Sequence, residues 1–253
     1  MRTSKRGWVA GLLIAVCSVG LAIADTRDND LRLQSVGTEK LARLKLGDRV
    51  EVRVDNGVAT LSGSVDSIGL KERAAKEISK VNGIAGVTNN LNVSEPGASP
   101  EQILGKAVHA VRMYPFYTIF DNVELSMDGG RLKLQGQVAE PWRKRDIEQL
   151  VSMIPGVREI ENRLEVLPLS PFDNGLRVRI ATAIYRNPEL SNYAFRADPP
   201  IHIIVKNGNV TLTGVVHSEV DKAVATNVAR FAATYFALDN QLKVETTMAK
   251  AHS

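Results

Sequence analysis

Cysteine is all but missing: Cys17 is the only one in 253 residues. That excludes a disulfide-stapled scaffold and paired thiol chemistry. Histidine is equally sparse. His109, His202, His217 and His252 stand apart, and no two fall at metal-ligand spacing on a helical stretch. The chain also has no Gly-x-Ser-x-Gly elbow, P-loop or dinucleotide fingerprint. It therefore reads as a non-enzyme with no catalytic residues, no metal site and no cofactor. Charge of one sign is lacking too. The net charge of +4 includes Arg2, Lys5 and Arg6, and without those three it falls to 4 − 3 = +1. Near-neutrality removes the global electrostatic reason to bind nucleic acid.

Long apolar runs are absent except at the start. Arg2, Lys5 and Arg6 precede an uninterrupted stretch from Trp8 to Ala24, 17 residues long, that ends in Ala22-Ile23-Ala24 ahead of Asp25. This is the anatomy of a cleavable secretory signal peptide over residues 1–24. The alternative is an uncleaved anchor, for which the run is short. Cys17 follows Val16, not a small residue, so cleavage after Ala24 fits better than lipoprotein anchoring. The expected location is the periplasm.

What is present is repetition. Gly57-x5-Gly63-x-Val65, Gly130-x5-Gly136-x-Val138 and Gly208-x5-Gly214-x-Val216 share one spacing. Ahead of each first glycine, apolar residues alternate: Val50, Val52, Val54; Val123, Leu125, Met127; Ile201, Ile203, Val205. That period of two predicts a half-buried strand. Asn56-Gly57, Gly129-Gly130 and Asn207-Gly208 then supply tight-turn residues, and alternation resumes beyond them, so each repeat holds a hairpin. Gly63, Gly136 and Gly214 fall on the apolar face, where a helix crossing closely over the sheet would require them.

After the hairpin the period becomes helical, as in Ala74, Ile78, Val81 and Ile147, Val151, Ile154, with Ala225, Ala229, Ala232 in the third repeat. A closing strand ends each unit on Val93, Val166 or Val244, always 30 residues past the second glycine. An opening helix is predicted by Ile103, Ala107, Val108 and Val111, and again by Leu176, Ile180, Ala183 and Ile184. The first repeat offers only a short candidate between Thr38 and Leu46, which predicts an abbreviated helix. The expected fold class is α+β. Three small tandem domains span 38–95, 100–168 and 173–246, each ordered helix–strand–strand–helix–strand, with a three-stranded mixed sheet packed on two helices.

This order, the Gly-x5-Gly hairpin and the close Gly156-Val157-Arg158-Glu159-Ile160-Glu161-Asn162-Arg163-Leu164 resemble the BON domain, named for bacterial osmotically inducible and nodulation proteins. The third repeat departs at Thr234, which stands where Gly83 and Gly156 stand. The resemblance implies a non-enzymatic binding module of the bacterial envelope, associated with phospholipid surfaces, envelope integrity and osmotic stress. A fold does not by itself fix function.

One local feature suggests a lipid-binding surface. Trp142, Arg143, Lys144 and Arg145 open the second helix of the second repeat, where an aromatic ring beside cations suits an anionic headgroup region. The plain alternative is a ring at the core edge with a solvated charged face. Lys71, Lys144 and Lys222 recur at one place, as a surface feature or as good helix residues. Tyr114, Phe116, Tyr117 and Phe120 precede the second repeat's first strand, as packing or as a lipid-facing loop. The expected partner is an anionic phospholipid surface. Envelope proteins captured on open sheet edges, in a chaperone-like role, are the alternative.

Overall fold

In the computed structural model the backbone is described for residues 15–95, 97–196 and 198–245, and side chains from Thr26 onward. Arg2, Lys5 and Arg6 lie outside the described residues. These residues fall into two units. One runs to Val65 and resumes over Leu70–Ser94; the other holds Asp66–Gly69 and the chain from Glu95 onward.

The first unit contains α1 (Ala15–Arg43), β1 (Val50–Asp55), β2 (Val58–Val65), β3 (Gly86–Val93) and all but the first two residues of α2 (Ile68–Ser79). β1 pairs antiparallel with β2, and β3 pairs parallel with β2, so the second hairpin strand is central. Alternation in β1 is clean, with Val50, Val52 and Val54 buried and their neighbours exposed. These valines meet Leu33 and Leu41 of α1 and Ala74 and Ile78 of α2 in one core.

The second unit holds two more copies of this plan. The second repeat has α3 (Pro100–Arg112), β4 (Asn122–Asp128), β5 (Arg131–Val138), α4 (Pro141–Ser152), β6 (Glu159–Asn162) and β7 (Glu165–Val166). The third has α5 (Pro171–Arg186), α6 (Ser191–Ala194), β8 (Ile201–Lys206), β9 (Asn209–Val216), α7 (Glu219–Ala232), β10 (Ala237–Asn240) and β11 (Lys243–Val244). β5 and β9 are central, each antiparallel to its hairpin partner and parallel to the closing segments. The architecture is thus α+β, three small mixed sheets each packed on two helices.

Two expectations need correction. The first repeat's opening helix is not abbreviated: α1 is 29 residues long and crosses the expected cleavage point after Ala24. Its core stripe is Leu33, Gly37 and Leu41, matching Leu176, Ile180 and Ile184 in α5. Gly37 hides the pattern because it stands where an aliphatic residue would; a Cβ there would lie 3.2 Å from Val52. The second correction concerns Gly63, Gly136 and Gly214. No helix demands them. Each has φ between 110° and 117°, and a Cβ would collide with a carbonyl of the partner strand's start, that of Arg49, Asn122 or Pro200. The close approach is strand to strand, with a backbone turned to positive φ.

The recurring lysines each work with one asparagine of the closing strand. Asn89, Asn162 and Asn240 each donate through the side-chain amide to the backbone carbonyl of Lys71, Lys144 or Lys222, at 2.9, 3.2 and 3.1 Å. Each asparagine also accepts the N–H two residues on, from Leu91, Leu164 or Leu242. The closing strand is thereby stitched to the second helix through that lysine's main chain, not its ammonium.

Repeats two and three share a joint. The loop between α3 and β4 lays Ile119 and Phe120 on the third repeat's core, and the Ile119 carbonyl accepts the Ile203 N–H at 2.7 Å. β8 is consequently buried on both faces, His202 and Ile204 included. Arg112 pairs with Asp198 at 3.2 Å and Lys206 with Glu165 at 2.5 Å across the same joint.

Candidate functional site

Trp142 sits in the first turn of α4, which starts at Pro141 because proline suits the first helical position. Its ring meets Phe116 edge-to-face at 5.1 Å and 87°, and Phe116 in turn meets Tyr114 at 5.7 Å. Phe116 and Trp142 both remain exposed. Of the residues before β4, Tyr117 and Phe120 turn inward toward cores, whereas Phe116 joins Trp142 at the surface.

The basic residues of this turn have different fates. The Arg143 side chain is only 13% exposed and pairs at 2.6 Å with Asp121, whose side chain is fully buried. Asp121 also accepts the Thr118 N–H at 2.9 Å, the Thr118 hydroxyl at 2.8 Å and the Ala139 N–H at 2.8 Å. Arg143 additionally lies 5.3 Å from the Trp142 ring centroid, in cation–π range. Its work is to neutralise a buried carboxylate that holds the Thr118–Asp121 loop, so it is not presented to a ligand. Lys144 is half-buried. Arg145 is 79% exposed, with Asp146 at 3.8 Å. Tyr114 donates its hydroxyl to Asp146 at 2.9 Å, and burial followed by that carboxylate pushes its phenol up to about 12. The surface that remains is Phe116, Trp142, Lys144 and Arg145: an aromatic pair with cations beside it.

Sequence reasoning missed two buried carboxylates that shape the repeats. Asp30 accepts the N–H groups of Asn56 at 2.7 Å and Gly57 at 3.0 Å. Asp173 accepts those of Asn207 and Gly208, both at 2.8 Å. Each lies three residues ahead of its helix's first core leucine, Leu33 or Leu176, a spacing legible in the sequence. The second repeat has Pro100 there, and Arg158 instead covers the turn, donating to the Gly129 carbonyl at 2.8 Å. Among the described residues no group of acidic, histidine or cysteine side chains is arranged to hold a metal. No described helix is long and apolar enough to cross a membrane.

The repeated helix–hairpin–helix–strand unit defines a class of small α+β domain, present here three times in tandem. The BON domain family model matches residues 32–95, 120–168 and 173–246, and the chain belongs to that family. No curated protein matches it significantly. Among solved structures, it is similar to the C-terminal domain of CdsD, a structural protein of the Type III secretion system of Chlamydia trachomatis. Identity is 13%, covering 81% of this chain and 94% of that one, with a TM-score of 0.24. It is also similar to the periplasmic domain of the inner membrane protein PrgH from S. typhimurium, at 11% identity, 81% and 99% coverage and a TM-score of 0.21. At such scores neither likeness carries an argument about this chain.

Proposed function

We propose that this BON protein is a periplasmic envelope component that binds anionic phospholipid surfaces and supports envelope integrity under osmotic stress. The observation that carries the reading is the exposed Phe116–Trp142 pair beside Lys144 and Arg145. Amphipathic rings favour the headgroup boundary, and each cation near an anionic surface contributes about 1 kcal/mol. Export rests on the run from Arg2 to Ala24. The test is intrinsic fluorescence of residues 25–253, where Trp142 is the sole reporter, during titration with anionic and then neutral vesicles. A saturable, salt-sensitive blue shift with anionic vesicles alone supports it. No shift and no co-sedimentation would reject it for those lipids. A second reading, capture of envelope proteins by strand addition, is favoured by the β1 and β3 edges, each paired on one side only within the first unit. Recovery of outer-membrane proteins in a lipid-free pull-down would favour that alternative.

A further inference from the structure

At one end of every repeat the hairpin turns, the opening helix begins nearby and the second helix stops. Three positions there change character between copies. The first repeat has Asn29, Lys80 and Ala85, the second Ser99, Met153 and Arg158, and the third Phe172, Phe231 and Phe236. The equivalence is structural at the last position: Ala85, Arg158 and Phe236 each donate their N–H to the first glycine of the hairpin, at 2.8, 2.9 and 2.9 Å. The third repeat's rings are not core residues. Phe172, Phe231 and Phe236 are 53%, 85% and 82% exposed. Two of them flank the bare turn, since a Cβ on Gly208 would come within 2.7 Å of the Phe236 ring and 3.5 Å of the Phe172 ring. The loop that delivers Phe236 is the one altered by Thr234: α7 leaves through an extended Ala233 (φ −163°) where α4 ends on a helical Met153.

The charge around these rings is positive. Arg230 precedes Phe231 in the last turn of α7 and Arg179 reaches back toward Gly175 near the start of α5, while Lys206, at the end of β8 beside the turn, is paired with Glu165 and adds no net charge. The local carboxylates are occupied: Asp173 is buried under the turn amides and Glu165 is held by Lys206. Two copies of this chain meeting face to face here would oppose like charges, whereas an anionic bilayer complements them.

We propose that Phe172, Phe231 and Phe236 form an insertion surface through which the third repeat enters the headgroup–acyl boundary of an anionic phospholipid bilayer. This rests on the phospholipid reading above but names a different contact from the Trp142 turn. The probe is vesicles of phosphatidylcholine mixed with phosphatidylglycerol, and the protein is that purified after export. F172S/F231S/F236S should lower the vesicle partition coefficient more than about tenfold, given three phenyl groups removed from the boundary. Thermal unfolding of the variant should remain near that of the parent, because exposed rings contribute little to the fold. F236W in a W8F/W142F background should be quenched by brominated acyl chains. If the parent sediments with these vesicles while the triple variant binds equally and F236W is unquenched, the insertion surface is wrong and the phospholipid reading survives. If the parent does not sediment, both fall. A triple variant that changes only the sedimentation coefficient in lipid-free buffer would assign the rings to self-association and overturn the proposal.

Discussion

Arg143 and Arg145 are near neighbours on one helix, yet they belong to different chemistries. A buried pair broken on one side leaves an uncompensated charge, at a cost of about 3–5 kcal/mol. Arg143→Ala should therefore lower the unfolding free energy of the second unit by that order in urea titrations, because Asp121 has no exposure to water. Arg145→Ala should change it by no more than about 0.5 kcal/mol, whereas Arg145→Glu should weaken binding to anionic vesicles. His202 adds a pH dependence. Its ring is buried at the joint (9% exposed), 5.6 Å from the Tyr117 ring, with Nδ1 unpartnered. Burial holds its pKa below the ordinary value of 6.5, against the opposing pull of Asp198 and Asp121 and of the Thr118 and Asp121 carbonyls. A histidine depressed in the folded state takes up its proton more readily when unfolded. Its contribution is therefore present above about pH 6.5 and is lost as pH falls toward the folded pKa. Between pH 7.5 and 5, the thermal midpoint of the parent should fall more than that of His202→Asn. Equal falls would show that His202 is not the titrating group.

Among elements, the hairpins, second helices and closing strands are legible because their periods are local: alternation in β1 and the Ala74–Ile78 stripe need no tertiary information. The opening helix of the first repeat is not, since Gly37 interrupts its stripe and its start overlaps the apolar run that ends at Ala24. The role of Arg143 is illegible for another reason. Its partner Asp121 lies 22 residues earlier in an irregular loop, and no periodicity marks a loop acid for burial. The turn-capping aspartates fall between these cases, fixed by spacing to a core leucine but recognisable only once the helix is placed over the hairpin. Hydrogen bonds to a charged acceptor contribute about 1.5–3 kcal/mol each, and Asp173 accepts two from buried or half-buried amides. Asp173→Ala should accordingly destabilise the second unit by about 3 kcal/mol in urea titrations, and Asp173→Asn by less, since one amide oxygen can still accept. A loss under about 0.5 kcal/mol would show that water replaces the cap.

At the scale of the molecule, identical plans have been put to unequal use. In the first unit β1 keeps a solvated face, while the corresponding β8 is covered by the second repeat's loop. The run Ile203-Ile204-Val205 is the sequence trace of that cover, because a strand buried on both faces loses its alternation. Ile119 and Phe120 bury apolar surface in the third repeat's core although they belong to the second, so neither repeat can unfold without exposing part of the other. Small domains of this size have little stability to spare, and a shared core converts two marginal units into one cooperative one. The second and third repeats should therefore unfold in a single transition, with tyrosine absorbance and helical circular dichroism coincident in urea. Ile119→Ser/Phe120→Ser should split it in two, the loss following from about 1.5–3 kcal/mol of burial per side chain. A parent that already unfolds in two separate steps over residues 95–245 would mean that the joint is contact without coupling.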